Sequence, residues 1–250
     1  MSLEVLCTAV SERADLFIET MSTMLAQLDT PPARLIVHED VRPGSDAGPI
    51  AAWLHQCGIP YEHRVTAPSR GLGPAMLWCF RQARMPIVFY TQEDWRFVRP
   101  VPVQRCLEIM ELHGLNHVRF NKRKTLRAKG EDTPNPWYKV EVEFADAAGV
   151  PQKFCISDHF YTQASLWRVA PVMGGLEACA EKAPQANAFV SAFNHHMNMK
   201  HIGIPAKVQD QQLRHRHLKT YIWGPVAEPK FIEHLGSIRT TGPIKHVGGA

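Results

Sequence analysis

The chain has 250 residues, 45% of them hydrophobic and 21% charged, enough to bury a full core and too apolar for a disordered chain. No stretch nears the roughly 20 consecutive apolar residues of a membrane span, and Glu4, Glu12, Arg13 and Asp15 interrupt any basic-then-apolar leader, so a cytoplasmic location is expected. The formal net charge is +4 with the 13 histidines taken as neutral, and the basic residues are unevenly spread.

The opening apolar run Leu3–Val10 reads as a strand. Apolar residues at helical spacing (Leu16, Phe17, Met24, Leu28) then predict a helix over 13–28, with Ser11 as its cap. Pro31-Pro32 ends that helix, and Leu35-Ile36-Val37 is a second strand. A helix over 49–57 stops at Gly58, residues 61–65 form a third strand, and a helix over 73–84 stops before Pro86. The fourth strand, Ile87 to Tyr90, breaks directly into two adjacent carboxylates, Glu93 and Asp94. This βαβαβαβ order predicts an α/β fold with a mainly parallel, doubly wound sheet flanked by helices. Such a sheet carries its ligands at the carboxyl ends of its strands.

After Pro100-Val101-Pro102 a helix runs through Leu112, followed by a strand over 117–120. Residues 122–136 are polar and contain proline, so they read as a mobile loop. Strands follow over 138–144 and 153–157, separated by the turn Gly149-Val150-Pro151. Residues 177–199 look helical with an interruption near Pro184, and from Tyr221 onward come short strand-like pieces and a Gly/Pro-rich tail. No internal repeat or linker is evident, so one continuous domain over 1–250 is expected. The six cysteines (7, 57, 79, 106, 155, 179) lack paired metal spacing and sit among apolar neighbours. They read as reduced core thiols.

Adjacent carboxylates at a strand end need a cation or hydrogen-bond donors, and a divalent ion holding a phosphorylated substrate is the sharpest reason for them. The order of landmarks around them resembles the GT-A glycosyltransferases, especially family-two-like members. The strand leading into Thr8-Ala9-Val10-Ser11-Glu12-Arg13 is similar to that group's first strand and polar turn. His38-Glu39-Asp40 stands where an acid receives the nucleotide base, and Arg70-Gly71-Leu72-Gly73-Pro74-Ala75 resembles the glycine-bearing start of the next helix. Gln92-Glu93-Asp94-Trp95 then stands at the group's Glu-Asp-Asp-Trp segment. The likeness covers about residues 3–110.

The resemblance implies a GT-A fold. Residues 1–110 would be a nucleotide-sugar half and 111–250 an acceptor half. The implied activity moves a sugar from a nucleotide-sugar donor, UDP-linked for example, to a hydroxyl. It also implies Mn²⁺ or Mg²⁺ held by Asp94, with His234 of Glu233-His234-Leu235-Gly236 as a further ligand. Thr8, Val10, Arg13, Glu39, Asp40, Arg70, Gly73, Gln92 and Glu93 are the implied donor contacts. Gln92 replaces an acid, which removes one charge from the metal station. An inverting transfer needs a base, and Glu181, after Leu166-Trp167-Arg168 and Gly174-Gly175, is the candidate, with Asp158 as competitor.

Trp137, Tyr138, Phe160, Tyr161 and Trp167 could line the acceptor site, since sugars and bases both stack on aromatic rings. Basic residues cluster at Arg119, Lys122, Arg123, Lys124, Arg127 and Lys129 and again over 214–219, which suits an anionic acceptor. DNA bearing hydroxymethylated bases, as in viral DNA modification, is one such acceptor, and it would place the protein in a host cytoplasm. Two other readings remain open at this level: a nucleotidyltransferase, with the acids holding Mg²⁺, and a non-catalytic nucleic-acid-binding protein using the basic clusters.

Overall fold

A computed structural model describes residues 2–120, 126–128, 131–133, 141–157, 162–182, 186–202, 220–225 and 228–235. Strands β1 (Leu3–Val10), β2 (Pro32–Asp40), β3 (Tyr61–Thr66) and β4 (Ile87–Gln92) alternate with helices α1 (Ala14–Gln27), α2 (Gly48–Gln56) and α3 (Leu72–Gln82). Then come β5 (Trp95–Phe97), α4 (Val103–His113), β6 (His117–Arg119), the short pair β7 (Leu126–Ala128) and β8 (Glu131–Thr133), β9 (Glu141–Ala145) and β10 (Pro151–Ser157). The last described elements are β11 (Ser165–Arg168), α5 (Val169–Cys179), α6 (Ala186–Ile202), β12 (Thr220–Trp223) and β13 (Ile232–His234).

The main sheet has nine strands in the order β3-β2-β1-β4-β11-β6-β12-β10-β9. The pairings β1–β2, β2–β3, β1–β4 and β12–β6 are parallel, whereas β11 is antiparallel to β4 and β6, and β10 to β12 and β9. Only β11 and β10 therefore run against the other strands, and the sheet is mainly parallel, as expected. Its strands come from both halves of the chain.

Alternation along the strands divides the core into two layers. Leu3, Val5, Cys7, Leu35, Val37, Ile87 and Phe89 pack with Phe17, Met21 and Met24 of α1 on one face. Leu6, Ile36, Val88 and Tyr90 face the other way and meet α3, α5 and α6. At the amino edge Glu4 accepts from Arg34 at 2.8 Å and from the backbone N–H groups of Arg84 and Met85 at 2.7 and 3.0 Å. That buried pairing ties the start of β1 to the chain leaving α3. All six cysteines are free, and burial pushes the thiols of Cys7, Cys79 and Cys106 upward, as expected of core thiols.

Several sequence expectations need correction. Ser11 does not cap α1: it opens a 3₁₀ turn, α1 has no side-chain cap, and the Ser11 hydroxyl instead meets the Asp40 carbonyl and the Ser45 hydroxyl. The helical stretch read over 177–199 starts earlier than expected: α5 begins at Val169 and ends at Cys179, and α6 begins at Ala186, beyond the expected interruption near Pro184. The glycine pair at 174–175 disguised α5. Gly175 is needed there because a Cβ would lie 2.8 Å from Phe193 and 2.9 Å from the Met197 sulfur. Strand β11 was not foreseen, because its four residues run straight into α5 without polar alternation. Within the expected loop over 122–136, the described residues 126–128 and 131–133 form a short antiparallel ladder.

Candidate active site

Register explains why the expected residues meet. Thr8 lies opposite Gln92 across β1–β4, and Val10 opposite Asp40 across β1–β2. Three strands thus end on one edge, and a cleft of about 730 Å³ opens there. Thr8, Val10, Arg13, Asp40, Arg70, Gln92, Glu93 and Asp94 line it, together with Arg42, Ser69 and Gly71. Its lining carries three guanidinium groups and three carboxylates, a balance suited to a ligand with phosphates at one end and hydroxyls at the other.

The acid turn is fixed from two sides. The Thr20 hydroxyl of α1 donates to the Glu93 carbonyl at 2.6 Å and accepts from the Trp95 N–H at 3.0 Å. On the other side β13 pairs antiparallel with β5, His234 opposite Trp95, and the Leu235 N–H donates to the Asp94 carbonyl at 2.8 Å. That pairing brings the distant His234 Nε2 to 2.9 Å from Asp94 Oδ2. Arg13 reaches over both acids, at 3.3 Å to Glu93 and 3.5 Å to Asp94.

Burial, and then the neighbouring Asp94 charge, push the Glu93 carboxyl up to about 7. The folded chain therefore keeps a proton on Glu93 between about pH 4.5 and 7, where the unfolded chain has already released it. Stability is expected to fall as pH climbs through that window and to level off above it. Urea unfolding at about pH 5 and about pH 8 checks this; Glu93→Gln should remove much of the slope, and an unchanged slope would assign it to other groups.

Asp40 holds the loop before α3. Its carboxylate accepts from the Ser69 hydroxyl at 2.7 Å and from the Gly71 N–H at 3.0 Å. Gly71 has φ +88°, which favours glycine, and it is this glycine that faces the cleft. The structure places Gly73 elsewhere: a Cβ there would lie 2.9 Å from both the Ala180 carbonyl and the Phe189 ring. Gly73→Ala is expected to cost about 1–3 kcal/mol in thermal or urea unfolding through overpacking. Nucleotide affinity should hold within about threefold.

Glu39 is also not brought into the cleft. Its side chain is 0% exposed and lies 2.9 Å from His63 Nε2. Glu181 reaches the rim, accepting from the Arg70 guanidinium at 2.8 Å, but it sits in the turn after α5 and does not open a helix. Trp167 is 1% exposed and packs among Phe80, Tyr90, His117 and Phe193, so it is a core residue and no wall of an acceptor site. Asp158, Trp137, Tyr138, Phe160, Tyr161, Gly236, the 214–219 cluster, and Lys122, Arg123, Lys124 and Lys129 lie outside the described residues. Arg119, from the first cluster, is buried in the sheet.

Sequence reasoning missed Thr20, Ser69 and Arg42, and within the Arg70–Ala75 run it took Gly73 as the donor contact where Gly71 lines the cleft. Only the Ser-Arg-Gly run ahead of a helix marked Ser69 and Gly71; Thr20 reads as an ordinary residue of an amphipathic helix.

Among the described residues no group of three or more His, Cys, Asp or Glu side chains is placed to hold a metal unaided. The residues nevertheless fit an ion that shares its shell with phosphates. Asp94 Oδ1 is buried with no hydrogen-bond partner among the described residues, and His234 stands beside the other oxygen. Mn²⁺ and Mg²⁺ commonly use one or two protein ligands and complete their shells with substrate phosphates and water.

No protein-family model matches the sequence, and no curated protein does. Solved structures do match in fold. The 1–349 fragment of S. aureus TarS superposes with a TM-score of 0.59 at 10% identity, over 94% of this chain and 60% of that one. The mannosyltransferase PcManGT of Pyrobaculum calidifontis, solved with GDP-Man and Mn²⁺, gives 0.51 at 13% identity, over 88% and 56%. GalNAc-T7, solved with UDP, GalNAc and Mn²⁺, gives 0.59 at 9% identity, over 99% and 46%. The fold is thus GT-A, and the chain spans about 60% of the TarS fragment's length.

Proposed function

We propose that the chain is a glycosyltransferase that takes its sugar from a nucleotide-sugar donor. The observation that carries this reading is the convergence of Arg13, Asp40, Arg70, Gln92, Glu93 and Asp94 in one cleft at the carboxyl edge of a GT-A sheet. Fold neighbours solved with UDP-GlcNAc and with GDP-Man support the donor class.

In the proposed reaction the bond between the anomeric carbon and the diphosphate oxygen breaks, and its electron pair leaves with the diphosphate. A bond forms from that carbon to the acceptor oxygen, whose proton passes to a base. Arg13 and Arg70 meet the diphosphate with forked donors. Asp40 and the loop it holds face the nucleoside, and Thr8, Val10, Gln92 and Glu93 line the donor's seat. Asp94 and His234 would hold a divalent ion, which when bound supplies charge stabilisation to the leaving diphosphate.

For an inverting course Glu181 is the proposed base, supported by its position on the rim beside Arg70. Glu181→Gln is expected to lower transfer by about 10²–10⁴-fold, with nucleotide affinity little changed; equal loss of both would assign Glu181 to holding Arg70. On the acceptor polymer, the charge of segments 122–129 and 214–219 supports an anionic chain, hydroxymethylated DNA among the candidates.

The decisive experiment incubates the protein with a panel of UDP- and GDP-sugars, with and without Mn²⁺, and reads nucleoside diphosphate release. Release with at least one donor is expected. No release from any of them counts against the reading, and nucleoside monophosphate transfer would identify the nucleotidyl alternative.

A further inference from the structure

A second cavity, of about 400 Å³, adjoins the donor cleft, and Gln92 lines both. Its size lies within the ~300–1,000 Å³ of small-molecule sites. One wall is a single face of α6. Asn187, Ser191 and Asn194 recur there at helical spacing with Val190, while Phe189, Phe193 and Met197 on the neighbouring stripe bury themselves against α3 and α5. Thr162 and Gln163 form the facing wall beside Gln92, whose amide donates to the Thr162 hydroxyl at 3.3 Å.

None of the described residues lining this cavity carries a charge. The described lining offers an anion no cation and an ammonium no carboxylate, so it desolvates neither cheaply. Amides and hydroxyls both donate and accept, which matches the paired donor and acceptor character of sugar hydroxyls. A separate observation points to a ligand. Gln163 is 8% exposed, yet its Oε1 is buried with no hydrogen-bond partner among the described residues. A buried acceptor of this kind is costly unless something donates to it.

We propose that this cavity seats the acceptor of the transfer, and that the seated group is a neutral polyhydroxylated one, a sugar ring or a polyol. The inference rests on the glycosyltransferase reading and extends it. Any negative charge on the acceptor would then lie outside the seat, and among the acceptor candidates this favours a sugar- or polyol-bearing anionic chain over a hydroxymethylated base. Gln92 has the position of a gate residue, because its side chain borders donor and acceptor at once. A neutral amide there suits contact with an acceptor hydroxyl better than a third carboxylate would.

The test is saturation-transfer NMR on the full chain, with and without UDP and Mn²⁺. Neutral probes are methyl glucoside, methyl N-acetylglucosaminide and ribitol; anionic probes are glycerol phosphate and a short DNA duplex. At least one neutral probe is expected to give signal that Ser191→Phe, filling the cavity from the α6 wall, reduces by about tenfold or more. Gln163→Met, which removes the orphaned acceptor, should weaken the same probe. Thermal melting of both variants distinguishes a blocked cavity from a lost fold, and a variant that melts early is replaced by Asn187→Leu. Signal only from anionic probes, or equal signal from wild type and Ser191→Phe, overturns the proposal. Neutral binding in a protein that releases no nucleotide from any sugar donor overturns the acceptor role through failure of the transferase reading itself.

Discussion

Asp94→Asn is expected to lower nucleoside diphosphate release from the preferred donor by about 10²–10³-fold, the scale of losing one preorganised contact to developing charge. The substitution keeps the side chain's shape, and the Asp94 backbone contact to Leu235 does not depend on the carboxylate, so the fold should persist. What disappears is the charge that His234 approaches at 2.9 Å and Arg13 at 3.5 Å. Chelator treatment of the wild type should give a loss of the same order, and the same treatment should add little to the variant, because both remove one station. Full activity in the variant would remove Asp94 from the chemistry. An additive chelator effect would move the ion elsewhere.

Trp167→Ala is expected to be the most damaging substitution in the core, costing about 3–5 kcal/mol. The indole is fully enclosed between β11 and the α3/α6 layer, with ring centroids 4.0 Å from His117, 5.9 Å from Phe80 and 6.1 Å from Phe193, and its N–H donates to the Ser165 hydroxyl at 2.6 Å. Truncation leaves a large cavity and removes the donor to the Ser165 hydroxyl, which keeps its own bond to the Gln163 carbonyl at 2.6 Å. Urea unfolding reads the loss directly. Wild-type stability in this variant would mean that Trp167 is exposed to an acceptor after all.

The strands β1, β2 and β4 were legible because each is an apolar run bounded by polar or turn residues, and Glu93-Asp94 was legible because two carboxylates directly follow one of them. Asp40 and Arg70 were found by their order along the chain, which fixes where each strand end falls. Glu39 and Gly73 were placed less well for a reason of orientation. Adjacent strand residues point to opposite faces, so of Glu39 and Asp40 only one can open into the cleft. Of Gly71 and Gly73, the first is on the loop at the edge and the second already inside α3, against Ala180 and Phe189.

By itself the sequence determined the parallel βα layering and the edge at which its chemistry collects, because both follow from local hydrophobic period and residue order. Only the tertiary structure decided which polar groups share that edge. The approach of His234 to Asp94, 140 positions away along the chain, depends on β13 pairing with β5. The clasp of Thr20 on the acid turn depends on how α1 packs, and the second cavity beside Gln92 on how α6 docks. These are contacts between segments far apart along the chain, whose geometry is set by packing and strand register, and no local periodicity encodes them.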